Sequence, residues 1–318
     1  MTQYILRRIV LMVPVAFLVT VIAFGLLRLS PGDPVIAFAG EERDPETLAQ
    51  VRRSLSLDQP LPVQYVAWLS HAVRGDLGRS IRTRQPVGEA IVERLPATLE
   101  LGAAALLLSG TVALVVGTIS ALKRNSPIDL VATGFTLGGV SLPTFFLGLV
   151  LILIFALVVR LFPPGGYVPF PQDPLGNLQR LLLPAVTLAT ASMAESLRQV
   201  RSSLLDVFEQ DYIRTARAKG VPESGVVARH ALKNALIPVV TLFGIRVGEI
   251  IAGAIVTETI FFWPGVGRLV VDSIAGRDYP VVQAVVLVSA LSFMVTTLLI
   301  DILYAWLDPR ISYEAATA

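Results

Sequence analysis

The stretch Asp211–Pro238, DYIRTARAKGVPESGVVARHALKNALIP, decides how the rest of the chain is read. It holds five Lys or Arg, two acids, one of the chain's two histidines and a Gly-Val-Pro break. Long apolar runs flank it, so a charged segment must stand in water between two membrane-like stretches. The pattern predicts two short helices. Asp206 or Glu209 can begin the first, with Leu204, Phe208, Tyr212 and Ala216 stepping every four residues as its apolar stripe. Arg214, Arg217 and Lys219 lie off that stripe. Gly220 suits the position after a basic last turn, and Pro222 suits the first turn of a second helix running to about Leu236. Residues 206–236 are therefore expected to form a knuckle pointing away from the bilayer. A plain solvated loop, with arginines that only fix topology, explains the charge but not two capped helices.

Outward from this segment the chain is apolar in blocks. It has 318 residues, 54% hydrophobic and 16% charged, with a mean hydropathy of +0.69, whereas a soluble domain is nearer a quarter charged. Six runs approach the ~20 residues that a bilayer requires. They lie at about 8–29, 97–122, 131–160, 181–200, 238–257 and 281–305. All must be helices, because lipid offers backbone groups no other partner. The third is long enough to tilt, and Pro143 predicts a kink in it. The stretch 1–29 resembles a signal peptide, with Arg7 and Arg8 before its apolar run, but that run is too long for one, no small-residue cleavage site follows, and it reads as a retained first span.

Several functions are excluded. A net charge of +2 gives no global field for nucleic acid. With no cysteine there are no disulfides, thiolate metal sites or Cys nucleophiles. No G-x-x-x-x-G-K-[ST] phosphate loop occurs, so the chain is not its own ATP motor. There is no H-E-x-x-H, and His71 and His230 fall on opposite expected sides of the membrane. The chain therefore reads as a non-enzyme, with no catalytic residue, no metal site and no cofactor of its own.

Basic residues set the orientation. Arg7 and Arg8 precede the first span, and Lys123 and Arg124 lie between the second and third. Arg198, Arg201, Arg214, Arg217, Lys219, Arg229 and Lys233 lie between the fourth and fifth. With six spans these share one side, while 161–179 on the other has no Lys or Arg. Both termini and the knuckle are then cytoplasmic. The segment 30–96 is external, with a capped helix near 44–57 and an amphipathic one carrying Tyr65, Val66, Leu69 and Val73. Trp68 and Tyr65 suit a membrane interface.

Charges inside spans are candidate pathway residues. Glu195 lies near the inner end of span four. Arg246 and Glu249 are three apart in span five and share a helix face, so they are either a structural pair or pathway lining. Gly244, Gly248 and Ala252 form a strip of small residues, spaced by four, suited to close helix packing.

The stretch 211–244, DYIRTARAKGVPESGVVARHALKNALIPVVTLFG, resembles the cytoplasmic coupling loop of binding-protein-dependent ABC importer permeases. More narrowly, it is similar to the B-type permeases for dipeptides, oligopeptides and nickel. RRIVLMVPVAFLVTVIAFGLLRLSPGDPV resembles their first span, SLDQPLPVQYVAWLSHAVRGDLGRSI their external segment, and ETIFFWPGVGRLVVDSIAGRDYPVVQAVVL their last external loop. The likeness covers nearly the whole chain. It implies that the knuckle docks in a groove of a separate ATPase subunit. The general form of that loop is Glu-Ala-Ala, three residues, then Gly. Gly220 matches the Gly, while Arg214, Thr215 and Ala216 stand at the triplet, so the Glu is absent and Asp211 or Glu209 would substitute for it. The docking set implied by the resemblance is Asp211, Tyr212, Arg214, Thr215, Ala216, Arg217, Ala218, Lys219, Gly220, His230 and Asn234.

The expected fold is an all-α, six-span permease of the type I ABC importer kind. Residues 1–318 form a single transmembrane domain, 30–96 an extracytoplasmic segment with short surface helices, and 206–236 a coupling helix pair. The resemblance implies a homologous second permease, two ATPase subunits that carry ATP and Mg, and an extracytoplasmic binding protein. Peptides are the expected cargo, crossing the plasma membrane of a bacterium or archaeon by alternating access. A permease for nickel chelates or sugars stays open at this point, as does a membrane scaffold without transport. A self-sufficient secondary transporter also stays open, but it would need an ion-coupling site built from Glu195, Arg246 or Glu249 and usually an inverted repeat, which is not seen.

Overall fold

The computed structural model describes residues 2–29, 58–236, 238–239 and 254–307. Most of span five, with Gly244, Arg246, Gly248, Glu249 and Ala252, lies outside the described residues, as does the helix expected near 44–57. Among the described residues the regular structure is helical, apart from one isolated bridge between Arg79 and Pro86.

In chain order the helices are α1 (Thr2–Leu29), α2 (Leu61–Val73), α3 (Val87–Leu122), α4 (Pro127–Ser141) and α5 (Thr144–Leu151), which continues as a π-helix over Ile152–Val158. Next come α6 (Pro174–Phe208), α7 (Asp211–Ala218) and α8, which opens at Glu223–Gly225, turns π-helical over Val226–Ala231 and is helical again at 232–236. A short α9 (254–260), α10 (Val266–Ala275) and α11 (Tyr279–Leu307) close the chain.

Three helices carry stretches long and apolar enough to cross a membrane: Leu6–Gly25, Val87–Leu122 and Tyr279–Ile300. They correspond to the first, second and sixth expected spans. The third is not one tilted helix with a kink, because α4 and the α5 π-helical run meet at 112°. Pro143 explains the sharpness. A residue before proline is driven out of the helical region, and Leu142 adopts φ −82° and ψ 126°, so α4 ends instead of bending. Sequence restarts α4 itself cleanly: Ser126 accepts a hydrogen bond from the Asp129 amide, and Pro127 occupies the first turn.

The chain divides into two compact units, Met1–Pro96 with Pro264–Ala318, and Ala97–Trp263. In the first, α1 packs along α11, α10 packs on α11, and α2 packs on α1. Tyr65 sets its ring edge-on to Phe24 at 5.5 Å, and its hydroxyl is 2.6 Å from Thr20 Oγ1. Trp68 tilts over Phe24 at 5.9 Å. The expected apolar face of α2 is thus only half used, since Val66 and Val73 are exposed while Tyr65 and Trp68 bind α1. The buried Asp278 carboxylate, just before α11, gathers the Ser80 hydroxyl and the amides of Ile81 and Arg82.

The second unit is built around α6. Asp173 caps it by accepting from the Gly176 amide at 2.9 Å, with Pro174 in the first turn. Half of its side chains are buried, and many are small or polar. Thr187, Thr190 and Ser192 donate to carbonyls of their own preceding turn, which satisfies them without water. Glycines on three helices press against it. A Cβ on Gly117 of α3 would lie 2.9 Å from Val200, one on Gly139 of α4 3.0 Å from Ala194, and one on Gly148 of α5 3.3 Å from Thr187. Small residues let apolar helices approach closely.

Candidate functional site

The knuckle begins where α6 stops at Phe208. A two-residue break, Glu209–Gln210, separates α6 from α7 and resets the helical phase. Neither Asp206 nor Glu209 starts the short helix, because Asp206 lies within α6 and Glu209 caps its end. The reset also moves the apolar stripe. Ile213 and Ala216 are the buried positions of α7, whereas Tyr212 is exposed. Ile213 and Ala216 meet Val200 and Leu204 of α6, Ala121 of α3, and Val226, Ala231 and Ala235 of α8 in one apolar cluster. The knuckle therefore owns a core.

Its turn is a Schellman motif. The Gly220 amide donates to the Arg217 carbonyl at 2.9 Å and the Val221 amide to the Ala216 carbonyl at 3.2 Å. Gly220 has φ +76°, as the sequence led one to expect, and a Cβ there would meet nothing within 4 Å. Side chains brace the turn on both flanks. Arg217 forks onto Glu223 at 2.6 and 3.1 Å and lies 5.6 Å above the Phe208 ring. Asn234 donates to the Tyr212 hydroxyl at 2.8 Å, tying α8 to α7. The Arg217 hydrogen bonds hold the Glu223 carboxyl below its ordinary value, against a smaller desolvation effect, and Glu223 in turn raises the Arg217 guanidinium.

Of the residues singled out for docking, Asp211, Tyr212, Arg214, Thr215, Arg217, Ala218, Lys219, Gly220 and Asn234 are exposed, and His230 is half-buried. Ala216 is buried in the knuckle's own core and cannot reach a partner directly. Asp211 pairs loosely with Arg214 at 3.4 Å, both in solvent. Glu195, the one pathway candidate among the described residues, is half-buried on α6.

Three acids that sequence reasoning passed over form the polar nodes of this unit. Asp129 at the start of α4 receives the Arg201 fork at 2.6 and 2.8 Å, the Ser120 hydroxyl and the Asn125 amide. Glu258 is fully buried and accepts from Thr98 at 2.7 Å. Glu100 accepts from Asn177 at 2.6 Å and Tyr167 at 3.1 Å, and the Tyr167 ring stands edge-on to the buried Trp263 at 4.8 Å. Burial, with Glu100 beside it, pushes the Tyr167 hydroxyl up, so it stays a donor. The available signal was a lone acid in or beside an apolar run. A groove of about 530 Å³ between α3, α4 and α6 is lined only by apolar side chains, among them Val112, Ala132 and Met193. It offers no hydrogen-bond partner to a polar solute.

Residues 113–313 match the family described as binding-protein-dependent transport system inner membrane component, and residues 1–102 match the N-terminal part of such membrane components. A chain from Brucella suis biovar 1 (strain 1330), provisionally named a peptide transport system permease protein, is 43% identical, over 99% of this chain and 100% of its own length. The di/tripeptide transport system permease protein DppB of Pseudomonas aeruginosa (strain UCBPP-PA14) and the dipeptide transport system permease protein DppB of Escherichia coli (strain K12) are each 42% identical over the same shares. An amino acid ABC transporter crystal structure aligns with a TM-score of 0.47 at 19% identity, covering 70% of this chain and 94% of that one, a likeness too slight to argue from.

Proposed function

This chain belongs to the inner membrane components of binding-protein-dependent transport systems, and we propose that it forms one half of the transmembrane pathway of an ATP-driven peptide importer. It is a multi-pass membrane permease subunit. Six spans with both termini and the 206–236 knuckle in the cytoplasm complete the topology, in the plasma membrane of a bacterium or archaeon. A second, homologous permease supplies the other half of the pathway. Two ATPase subunits, with ATP and Mg, drive it, and an extracytoplasmic binding protein delivers the cargo. Peptide as cargo is supported by the relatives named for peptides, which match along almost the full length.

The observation that carries the reading is the knuckle itself. A loop needed only for topology requires charge and nothing else. Here two helices share an apolar core, a Schellman turn and braces on both flanks. Such a body can transmit a rigid displacement, and alternating access needs an element biased by both ATP and substrate. Arg214, Lys219, Arg229 and Lys233 stand exposed on it, available to an ATPase surface.

The test is uptake of a labelled peptide into vesicles holding both permeases, both ATPases and the loaded binding protein. Inactivating the ATPase should abolish uptake, and an ionophore should leave it intact. Uptake that survives without ATP hydrolysis and collapses with the ionophore would replace this reading with a gradient-driven carrier.

A further inference from the structure

We propose that the Asp129–Arg201 ion pair is the joint through which the bent helix pair α4–α5 follows the knuckle, an inference that rests on the docking role given above. Arg201 sits on the last turns of α6, between Val200 and Leu204. Those two neighbours are buried against Ile213 and Ala216 of the knuckle. The same turn therefore grips the knuckle through apolar contact and grips α4 through a guanidinium fork.

Asp129 is only 3% exposed, and each of its oxygens accepts two hydrogen bonds. Oδ1 takes the Ser120 hydroxyl and Arg201 Nε, while Oδ2 takes the Asn125 amide and Arg201 Nη2. A carboxylate offers about four acceptor sites, so this one is saturated. Its donors come from the end of α3, the α3–α4 turn and α6, which fixes the first turn of α4 in orientation as well as position. Asn125, whose amide makes that bond at 2.9 Å, sits in the left-handed region at φ +62° within the α3–α4 turn. One turn on, Ala132 packs with Leu197 of α6 and Ala113 of α3. Apolar side chains of similar volume stabilise a buried contact as well as an ion pair does. What the fork adds is direction. α4 leads straight into the 112° bend, so a displacement of α6 is handed on to α5.

The experiment uses the complete transporter in vesicles, with a labelled dipeptide on the binding protein. The readouts are ATPase association, ATP hydrolysed per complex, and peptide taken up per ATP. The double variant Asp129→Asn/Arg201→Gln keeps hydrogen-bonding shapes without leaving a lone buried charge. Arg201→Lys keeps a cation opposite Asp129 but loses the fork, which guards against a double variant that does not fold. Both should bind the ATPases and hydrolyse ATP normally, while uptake per ATP falls, roughly five- to tenfold for the double variant, the size of an ordinary coupling free energy. A pair that only stabilises the fold would lower yield, hydrolysis and uptake together and leave their ratio unchanged. An unchanged ratio in either folded variant overturns the joint. Failure of the docking reading is seen separately, as normal association and transport in a Gly220→Val transporter.

Discussion

At Gly220 the substitution cost is set by backbone and not by space. Its φ of +76° lies in the left-handed region, and nothing stands within 4 Å of an added Cβ. An L-residue there costs about 1–2 kcal/mol, and a β-branched one sits at the upper end. Gly220→Ala should therefore weaken the knuckle slightly, and Gly220→Val should distort the Schellman turn while the spans still insert. Pull-down of the ATPase subunits from membranes should show near-normal permease with reduced ATPase for Val and a small loss for Ala. Arg217 acts on the same turn from outside. It touches both Glu223 and Phe208, so Arg217→Gln removes a brace as well as a charge. The brace is half-exposed and worth about 0.5 kcal/mol. Its pH dependence has a definite sign. Glu223 is depressed in the folded state, so the contribution is fully present above the unfolded carboxyl value of about 4.3. It is lost as pH falls through the lower folded value. In thermal melts, Glu223→Gln should sit below wild type at pH 7 and converge with it in acid. A gap that persists unchanged however far the pH is lowered would assign the effect to packing instead.

The elements show why some of this was legible and some was not. α1, α3 and α11 announce themselves because each faces enough lipid to need an unbroken apolar run. The Gly-Val-Pro turn was equally plain, because Schellman chemistry is local. The stripe on α7 was misplaced by one residue, Tyr212 for Ile213, because the two-residue break after Phe208 is invisible to a periodicity that runs through it. Pro143 marked a disturbance, but its 112° outcome depends on where α4 and α5 seat against α6. α6 itself is too polar to read as a span with ease, since buried Thr187, Thr190 and Ser192 bond their own backbone instead of giving way to apolar side chains. The seats are glycines that no local pattern separates from others. Gly139 and Gly134 share α4, yet only Gly139 meets a neighbour, Ala194, at 3.0 Å from an added Cβ. Gly139→Leu should overpack the α4–α6 contact and cost about 1–3 kcal/mol, whereas Gly134→Leu should be close to silent. The melting temperature of the detergent-purified protein separates them. Equal effects would mean that α4 does not seat where Gly139 places it.

For the whole molecule, composition fixes the solvent, and the bias of basic residues is the guide to the sides. The apolar exteriors of α1 and α11 leave lipid as the surrounding medium, since side chains such as Leu6, Val13, Phe293 and Leu299 are exposed. Which face of the membrane the knuckle meets is an expectation drawn from the bias of Lys and Arg. The knuckle region carries Arg214, Arg217, Lys219, Arg229 and Lys233, and 161–179 carries none. If that bias sets the topology, positions in the two regions must differ in their access to an impermeant reagent. Ser224 on the knuckle and Gln172 in the other segment are both exposed and take part in none of the braces described. The chain has no cysteine, so Ser224→Cys and Gln172→Cys each introduce a single reactive thiol. With a charged maleimide on intact cells, Gln172→Cys should be labelled and Ser224→Cys should not. Opening the membrane should then label both. The converse pattern would put the knuckle outside, where no cytoplasmic ATPase could reach it, and the importer reading would fail with the topology. Labelling of both positions in intact cells would likewise put the knuckle outside and end the importer reading, and it would break the six-span count as well, because an even number of crossings, and not α6 alone, would then separate Gln172 from Ser224.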